Sequence, residues 1–336
     1  MANLAQQPLI MAGEGWADYG LIDSGNGRKF EHYGRYRFIR PEPQALWSPR
    51  LAEWDADGQF VPGSDEDGGG RWQFVREVPR EGWPLAWNEV RFTAQCTPFR
   101  HLGFFPDMAP VWEWMRGQLE GPPRDGEEDH AQRGGGGVPD APPHRVANPL
   151  RQPAAPTATS PSRGGSATLN LFGYTGVGTL ALSQCGPVTH VDASKKSVAQ
   201  ARDNAALSGM AARPIRWLVD DAAKFAAREV RRGSRYDGII LDPPKFGRGP
   251  NNETWRLEEG LPPLIADCRR LLDADSRFLF LTVYAVRMSS LALAGLLAEN
   301  FADLPGEIEH GELAVREEGA GGRLLPTAIF ARWRGL

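Results

Sequence analysis

The 336-residue sequence has few of the side chains that build disulfides and metal sites, and it has no long apolar run. Its three cysteines, Cys96, Cys185 and Cys268, show no CxxC spacing, and its six histidines lie far apart. Neither a disulfide framework nor a zinc site is therefore predicted. No apolar run approaches the roughly 18 residues that span a bilayer, and residues 1–15 lack the pattern of a signal peptide. We therefore expect a protein of the reducing cytoplasm, with neither a metal nor a membrane partner.

The sequence also lacks a surplus of basic residues. It has 38 Lys and Arg against 42 Asp and Glu, which gives a formal net charge of −4. This balance argues against nucleic-acid binding by bulk attraction, although it is compatible with a local basic patch. The length allows two domains, each with its own core.

Composition divides the chain into three predicted parts. Residues 1–120 hold eight of the eleven tryptophans, in short aromatic and β-branched runs separated by Gly, Pro and Asn, which predicts a β-rich domain. Residues 121–166 are rich in Gly and Pro and have no aromatic residue, which is typical of a flexible insertion. Residues 167–336 alternate apolar runs with helical patterns and are predicted to form a second domain.

The second domain is predicted to be an α/β fold with a Rossmann-like, doubly wound sheet. Repeated strand–helix units favour parallel strands joined by right-handed crossovers, and two apolar runs at the end of the chain predict a hairpin that makes the sheet mixed. The predicted strands are residues 169–172, 188–191, 215–219, 236–241 and 278–283, and the predicted hairpin is 307–315 with 323–333.

A glycine-rich turn follows the first of these strands, within residues 170–178. Gly173, Gly176 and Gly178 would let backbone N–H groups approach a ligand. Asp192 ends the next strand, 19 positions after Gly173, where a carboxylate can accept a hydrogen bond from a ribose hydroxyl. The turn predicts a nucleotide-like cofactor, but by itself it does not separate a dinucleotide from S-adenosylmethionine, and such glycines can also serve packing alone.

Asp221 lies where the third strand ends and a helix begins. Its carboxylate can cap that helix, or it can accept the amino group of an adenine, or it can do both.

The pentad Asp242-Pro243-Pro244-Lys245-Phe246 ends the fourth strand, where open α/β sheets bind their ligands. The two prolines restrict the backbone there. Asp242 and the Pro243 carbonyl can accept two N–H bonds from an amino or imino group, and Phe246 offers a stacking face to a base. The pentad therefore predicts a site for a flat, polar substrate, with these three residues in contact with it.

Basic and aromatic residues alternate between Arg28 and Arg40. An RNA-binding surface has this composition, but a strand with one buried and one exposed face has the same pattern.

Together these motifs resemble the class I S-adenosylmethionine-dependent methyltransferases grouped with the bacterial large-subunit ribosomal RNA methyltransferases. The matching segments are residues 169–176, 191–194, 201–204, 220–222 and 242–246, with a weaker echo at 100–107. The resemblance implies S-adenosylmethionine as cofactor and ribosomal RNA as partner. The cofactor contacts that it implies are Phe172, Tyr174, Thr175, Gly176, Asp192, Asp221 and Asp242.

The sequence departs from this family at one position that decides the chemistry. Members that methylate carbon 5 of cytosine attack the base with a cysteine after the fifth strand, and here Ala285 stands at that position. Methylation at carbon needs such covalent activation, so we predict transfer to a nitrogen of an RNA base without a cysteine nucleophile. The alternatives are an NAD(P)-dependent oxidoreductase and a cofactor-binding protein without turnover.

Overall fold

The computed structural model describes residues 2–63, 69–120, 166–284 and 287–336. The predicted insertion, apart from Ser166, lies outside the described residues, and so does Ala285.

The first half of the described chain is built of short strands followed by a helix. These elements are β1 (Ala2–Leu4), β2 (Leu9–Gly13), β3 (Tyr19–Gly25), β4 (Arg28–Tyr33), β5 (Tyr36–Pro41), β6 (Gly58–Pro62), β7 (Gly70–Phe74), β8 (Trp83–Trp87), β9 (Val90–Ala94) and α1 (Ala109–Glu120). A single 3₁₀ turn, Pro106–Met108, precedes α1.

The second half alternates strands and helices and ends in a long hairpin. Its elements are β10 (Thr168–Leu171), α2 (Val177–Leu182), β11 (Val188–Asp192), α3 (Lys195–Leu207), β12 (Ile215–Val219), α4 (Ala222–Arg232), β13 (Gly238–Leu241), β14 (Phe246–Arg248), β15 (Thr254–Arg256), α5 (Leu257–Arg270), β16 (Phe278–Tyr284), α6 (Ser290–Asn300), β17 (Gly306–Arg316) and β18 (Leu324–Arg334).

The large sheet has the order β1-β17-β18-β16-β13-β10-β11-β12, and β2 also pairs with β17. Strands β12, β11, β10, β13 and β16 are parallel, whereas β18 is antiparallel to both β16 and β17. The predicted mixed α/β sheet and its terminal hairpin are thereby confirmed. Strands β10 and β13 are buried throughout, as expected for central strands covered by helices on both faces.

Local signals set the helix limits in this half. Ser194 caps α3 by accepting the N–H of Ser197, and Gly209, at φ +68°, follows the end of that helix. Asp221 caps α4 in the same way, with Lys224 N–H as the donor. The cap at Asp221 is one of the alternatives that the sequence predicted.

The N-terminal half forms a separate β-rich unit. Strands β3 to β7 make a five-stranded sheet, and β8 pairs with β9. The β3–β4 hairpin turns through Asn26 and Gly27, both at positive φ, a conformation that an Asn-Gly pair tolerates. Its core is aromatic, and Tyr33 and Phe38 have no exposed surface.

The first strands of the chain do not belong to that unit. Strand β1 pairs in parallel with residues 306–308, and β2 pairs with residues 311–315, so both extend the large sheet. The three-part domain division, with limits at 120 and 166, stays a prediction, and the pairing of residues 2–13 is a feature that the sequence did not indicate.

Candidate active site

The glycine-rich turn after β10 holds three residues in the left-handed region. Phe172, Tyr174 and Gly176 have φ of +60°, +49° and +80°. Two non-glycine residues in this region are strained, and such strain concentrates at sites that bind ligands. Gly173 is required for a different reason, since a Cβ there would lie 2.4 Å from Cε1 of His190.

Three buried polar side chains, linked by hydrogen bonds, pack beneath the glycine-rich turn and stabilise it. The Asn170 amide donates to Oγ1 of Thr179 at 2.9 Å, and that hydroxyl lies 2.8 Å from Nδ1 of His190. Burial lowers the pKa of His190 to about 3, so the ring is neutral and Nδ1 can accept the Thr179 hydroxyl. These bonds fix the side chains on which Gly173 rests.

Asp192 is held directly against the turn. Its Oδ2 accepts the N–H of Tyr174 and its Oδ1 accepts the N–H of Ser194, both at 2.8 Å. Burial raises the pKa of Asp192. Each carboxylate oxygen can accept a second hydrogen bond, so both can still receive a ligand hydroxyl.

Asp221 serves the structure by capping α4, with Oδ1 2.9 Å from the N–H of Lys224. The backbone of its neighbour Asp220 lies beside the predicted cofactor site, because the Asp220 N–H donates to the carbonyl of Asp192 at 3.0 Å. The cap interpretation of Asp221 is therefore correct, and a contact to adenine stays a prediction.

Asp242 directly follows β13, the strand that pairs with β10, and β10 leads into the glycine-rich turn. Within the described part of the chain, its carboxylate accepts no hydrogen bond. Desolvation, followed by the negative charge of Asp107, raises the pKa of Asp242 to about 8. A carboxylate in this state gains from any ligand that donates an N–H to it.

The rest of the pentad is anchored by its own backbone. The Pro244 carbonyl accepts the Trp255 indole N–H at 2.7 Å, and the Lys245 carbonyl accepts the N–H of Leu257 at 3.0 Å. No hydrogen bond to the Pro243 carbonyl occurs among the described residues. Phe246 is 42% exposed at the start of the β14–β15 hairpin.

A cavity of about 50 Å³ joins these features at the carboxyl edge of the sheet. Seven predicted residues line it, namely Phe172, Gly173, Tyr174, Thr175, Gly176, Gly178 and Asp242. Asp192 lies behind Tyr174, whereas Asp221, Pro243 and Phe246 are not among its lining residues.

One wall of the cavity comes from the N-terminal half of the chain, from residues that sequence reasoning did not assign to the site. They are Phe104, Phe105, Met108 and Trp112. The Thr175 hydroxyl fixes this segment by donating to the carbonyl of Gly103 at 2.5 Å. The family echo at residues 100–107 was the signal that could have identified it.

A second carboxyl group, Asp107, lies close to Asp242. It is 4% exposed, and its Oδ2 accepts the Thr327 hydroxyl at 2.6 Å. Burial raises the pKa of Asp107. Burial and the charges of both carboxyl groups raise the pKa of Tyr284 well above its usual value. The sheet edge therefore carries two acids and a phenol in a desolvated environment.

The alternating stretch from Arg28 to Arg40 proves to be two paired strands with an aromatic inner face. Its four aromatic residues are buried, namely Phe30, Tyr33, Tyr36 and Phe38. They pack in the core and are not available for stacking on bases, so strand alternation explains the pattern.

Within the ranges that the structure describes, no helix is long and apolar enough to cross a membrane. The same ranges contain no group of three or more His, Cys, Asp or Glu side chains that could hold a metal ion.

Known proteins resemble this chain over different parts of its length. No family model matches the chain. Two curated relatives are the ribosomal RNA large subunit methyltransferase K/L of Vibrio cholerae, 30% identical over 153 residues, and the ribosomal RNA large subunit methyltransferase I of Erwinia tasmaniensis, 29% identical over 158 residues. These matches cover 43% and 46% of this chain but 21% and 37% of the relatives, so the chain spans well under half the length of the proteins it matches. The predicted resemblance is thereby confirmed.

The solved structures give a match over the whole chain. An S-adenosylmethionine-dependent methyltransferase from Agrobacterium tumefaciens is 38% identical, with a TM-score of 0.81, covering 100% of this chain and 96% of that one. SMU.776, solved in complex with S-adenosylhomocysteine, has a TM-score of 0.61 at 14% identity, over 94% and 75% of the two chains, and shares the fold. These findings favour a methyltransferase over the nicotinamide-dependent alternative and over a protein without turnover. The chain belongs to the S-adenosylmethionine-dependent methyltransferases, which are enzymes that use this cofactor.

Proposed function

We propose that the protein transfers the methyl group of S-adenosylmethionine to a nitrogen of an RNA base, with ribosomal RNA as the substrate. The observation that carries this proposal is the Asp242 carboxylate, which is desolvated and free of hydrogen bonds at the sheet edge beside the cofactor turn. Such a group is suited to hold an N–H donor and unsuited to activate a carbon. The names of the curated relatives support ribosomal RNA as the source of that donor.

The residues around the turn fit S-adenosylmethionine. Phe172 and Tyr174, both at positive φ, line the small cavity together with Gly173, and Asp192 keeps acceptor capacity for the ribose hydroxyls. We assign cofactor contacts to Phe172, Tyr174, Thr175, Gly176, Asp192, Asp221 and Asp242. When bound, the cofactor supplies an electrophilic methyl group on a sulfonium centre.

The chain's own residues position the acceptor and receive its proton. Asp242 and the Pro243 carbonyl each accept one N–H of the acceptor amino group, which directs the nitrogen lone pair at the methyl group. Phe246, exposed beside them, stacks on the base. Correct alignment of two bound reactants supplies much of the rate acceleration when no covalent step is available.

A proton must leave the nitrogen once the methyl group has been transferred. The Asp242 carboxylate can take this proton, because a pKa of about 8 matches a general base that acts near neutral pH. No thiol takes part in this scheme. A cytoplasmic setting, where ribosomal RNA is available, stays a prediction.

The direct test is mass spectrometry of ribosomal RNA nucleosides from cells with and without the gene. We expect one N-methylated nucleoside to disappear in the deletion strain and to return when the purified protein and S-adenosylmethionine are added to RNA from that strain. Unchanged nucleosides, or a methyl group at carbon 5 of cytosine, would contradict the proposal.

Cofactor binding is tested separately by calorimetry. The wild-type protein should bind S-adenosylhomocysteine with micromolar-range affinity, and Asp192→Ala should lose most of this binding. Asp203→Asn, on the exposed side of α3, serves as a matched control that should bind normally. Tight binding of NAD without binding of S-adenosylhomocysteine is the contrary result.

A further inference from the structure

A cavity of about 410 Å³ lies between the N-terminal sheet and the catalytic sheet, beside the small cofactor cavity. It is lined by Lys29, Arg40, Pro41, Glu42, Pro43, Gln44, Arg100, His101, Phe104, Phe105, Pro106, Asp107, Tyr284 and Thr327. This size falls within the range of small-ligand pockets. None of the residues to which the proposed function assigns a role lines this cavity.

The walls of the cavity suit a flat ring. Phe105 packs against His101, with ring centroids 4.9 Å apart, and against Tyr284 at 5.1 Å. Burial lowers the pKa of His101 to about 3, so this ring is neutral and acts as a further aromatic surface. Pro41 and Pro43 add apolar surface near the entrance.

The inner end of the cavity is polar. Asp107 is buried there, and its Oδ2 accepts the Thr327 hydroxyl at 2.6 Å. The Tyr284 hydroxyl interacts with the same carboxyl group. The carboxyl group therefore keeps capacity for a ligand. Tyr284 and Thr327 place two hydroxyl groups beside it. A carboxyl group between hydroxyl groups can read the donors and acceptors on the edge of a base.

The lining of the cavity also contains three cationic side chains, Lys29, Arg40 and Arg100. Lys29 and Arg40 are balanced by acids, since Lys29 lies 3.2 Å from Glu42 and Arg40 lies 2.7 Å from Glu31. In contrast, the Arg100 side chain forms no ion pair with any acid in the described ranges. A guanidinium in the cavity lining that is not balanced by an acid is suited to a phosphate group.

This cavity adjoins the reacting groups. Phe104 and Phe105 line both cavities, and the charge of Asp107 acts on Asp242. A ring that enters between Phe105 and Asp107 therefore lies near the Asp242 carboxyl group that follows β13.

We infer that this cavity binds a single nucleotide of the methyl acceptor, with its base against Asp107 and Tyr284 and its phosphate on Arg100. The inference rests on the proposed function, because the nucleotide belongs to the substrate whose acceptor amino group Asp242 holds. The nucleotide can come from two sources, either a residue extruded from an RNA strand or a free mononucleotide, and both present the same chemistry to the cavity.

The test measures binding to the full-length protein saturated with S-adenosylhomocysteine. The probes are the four nucleoside 5′-monophosphates, the corresponding nucleosides, and single-stranded RNA of mixed sequence. The variants are Arg100→Gln and Asp107→Asn, and the matched control is Arg213→Gln, an exposed arginine in the loop after α3. Affinity for S-adenosylhomocysteine and the melting temperature report whether each variant keeps its fold.

We expect Arg100→Gln to weaken binding of a monophosphate by about ten- to a hundredfold and to leave binding of the nucleoside nearly unchanged, since one charge-assisted contact is lost. Asp107→Asn should weaken the nucleoside and the monophosphate alike and change the order of preference among the four bases. Arg213→Gln should bind as the wild type does, and S-adenosylhomocysteine should bind equally to all four proteins.

Binding of free monophosphates assigns a free nucleotide as ligand, whereas binding of RNA alone, weakened by Arg100→Gln, assigns an extruded residue. Equal binding to the wild type and both variants would overturn the inference, and so would a wild-type protein that binds none of these probes. The two proposals also fail separately. If ribosomal RNA is methylated equally well by both variants, the cavity assignment is wrong but the function stands. If nucleotides bind as expected but ribosomal RNA is not methylated, the substrate is wrong but the cavity stands.

Discussion

Two carboxyl groups, one at each sheet, have opposite environments. In the N-terminal sheet, Glu31 has no exposed surface, and it receives the Arg40 guanidinium at 2.7 Å and the hydroxyls of Tyr19 and Tyr33 at 2.8 and 3.2 Å. Burial acts to raise the pKa of Glu31, but the charges of Arg40 and Lys29 hold this pKa at about 2. This carboxylate is fully paired, and its charge is permanent in the folded protein.

The catalytic edge shows the reverse. Asp242 has no hydrogen bond within the described residues, and a second acid, Asp107, lies near it in place of a cation. The pKa of Asp242 rises to about 8 as a result. Glu31 is buried and completely paired, whereas the half-buried Asp242 has no partner among the described residues and lies where a ligand can complete its contacts. The contrast separates a structural charge from a functional one.

The largest effect is expected from breaking the paired site. Glu31→Gln should lower the free energy of unfolding by about 3–5 kcal/mol, because Arg40 would remain charged in the interior without its partner. Urea unfolding followed by tryptophan fluorescence measures this change.

The double variant Glu31→Gln with Arg40→Met is the control for that experiment. Removing both charges should recover part of the lost stability, since no unpaired ion remains buried. The sign of the pH effect gives a second check. The folded pKa of Glu31 is lowered, so its stabilisation is complete above its unfolded pKa of 4.5 and is lost as pH falls toward 2. If Glu31→Gln is as stable as the wild type, the charge of Glu31 is not structural, and the contrast with Asp242 is wrong.

The second prediction concerns the unpaired site. Asp242→Asn should reduce turnover on RNA by roughly two to three orders of magnitude, the scale observed when one preorganised polar contact to a transition state is removed. Stability should not fall, because the amide avoids the desolvation of a charge. Transfer of radiolabelled methyl groups under single-turnover conditions measures the rate.

Asp237→Asn is not a suitable control, because its carboxylate binds the N–H of Ala167. Asp203→Asn, exposed on α3, is the better one and should retain full activity. If Asp242→Asn is strongly destabilised but remains active per folded molecule, Asp242 is a structural residue and its functional assignment is wrong.

The sequence predicted the catalytic sheet well because its signals are local. The run 215–219 is strand β12 with the same limits, and the hairpin 307–315 with 323–333 differs from β17 and β18 by one residue at each end. Apolar runs of strand length, capping residues and turn residues depend on neighbours within a few positions.

What the sequence could not predict depends on contacts between distant residues. Asp107 becomes a buried group of the site through Thr327, which is 220 positions away. Strand β2 joins the large sheet through residues 311–315, about 300 positions away. The polar face of β4 and β5 was ambiguous for the same reason, because only packing decides that Phe30 and Phe38 point inward.

The third prediction sharpens the comparison through pH. If the Asp242 carboxylate accepts the substrate N–H, kcat/KM should rise up to about tenfold per pH unit below pH 8 and level off above it. The sign follows from the raised pKa, since the acid form predominates below pH 8 and cannot serve as base. Rates from pH 6 to 9.5 measure the profile, and Asp242→Asn should flatten it.

Asp107→Asn gives a directional control for this profile. Removing the neighbouring negative charge should lower the pKa of Asp242 and shift the midpoint toward acid. A profile that falls with rising pH would show that the protonated acid acts as a donor and would contradict the mechanism.

The smallest effect is expected from the cysteines. Burial raises the pKa of Cys96 to about 12 and that of Cys185 to about 11, and it raises the pKa of Cys268, which has no exposed surface. None of these thiols lines either cavity at the sheet edge. A thiol that stays protonated near neutral pH is a poor nucleophile.

The triple variant Cys96→Ser, Cys185→Ser, Cys268→Ala should therefore keep kcat/KM within about twofold of the wild type and lose about 1–2 kcal/mol of stability, mainly from the small cavity at the buried position. Methyl transfer to ribosomal RNA and urea unfolding measure the two quantities on the same preparation. RNA that carries 5-fluorocytosine tests the chemistry itself, since a cysteine mechanism would trap the enzyme on the base. A covalent adduct with the wild-type protein that disappears in the triple variant would show that a thiol, and not the unpaired Asp242, begins the reaction. If no adduct forms and the triple variant is fully active, the reaction proceeds without a thiol, as expected for a nitrogen acceptor held by Asp242.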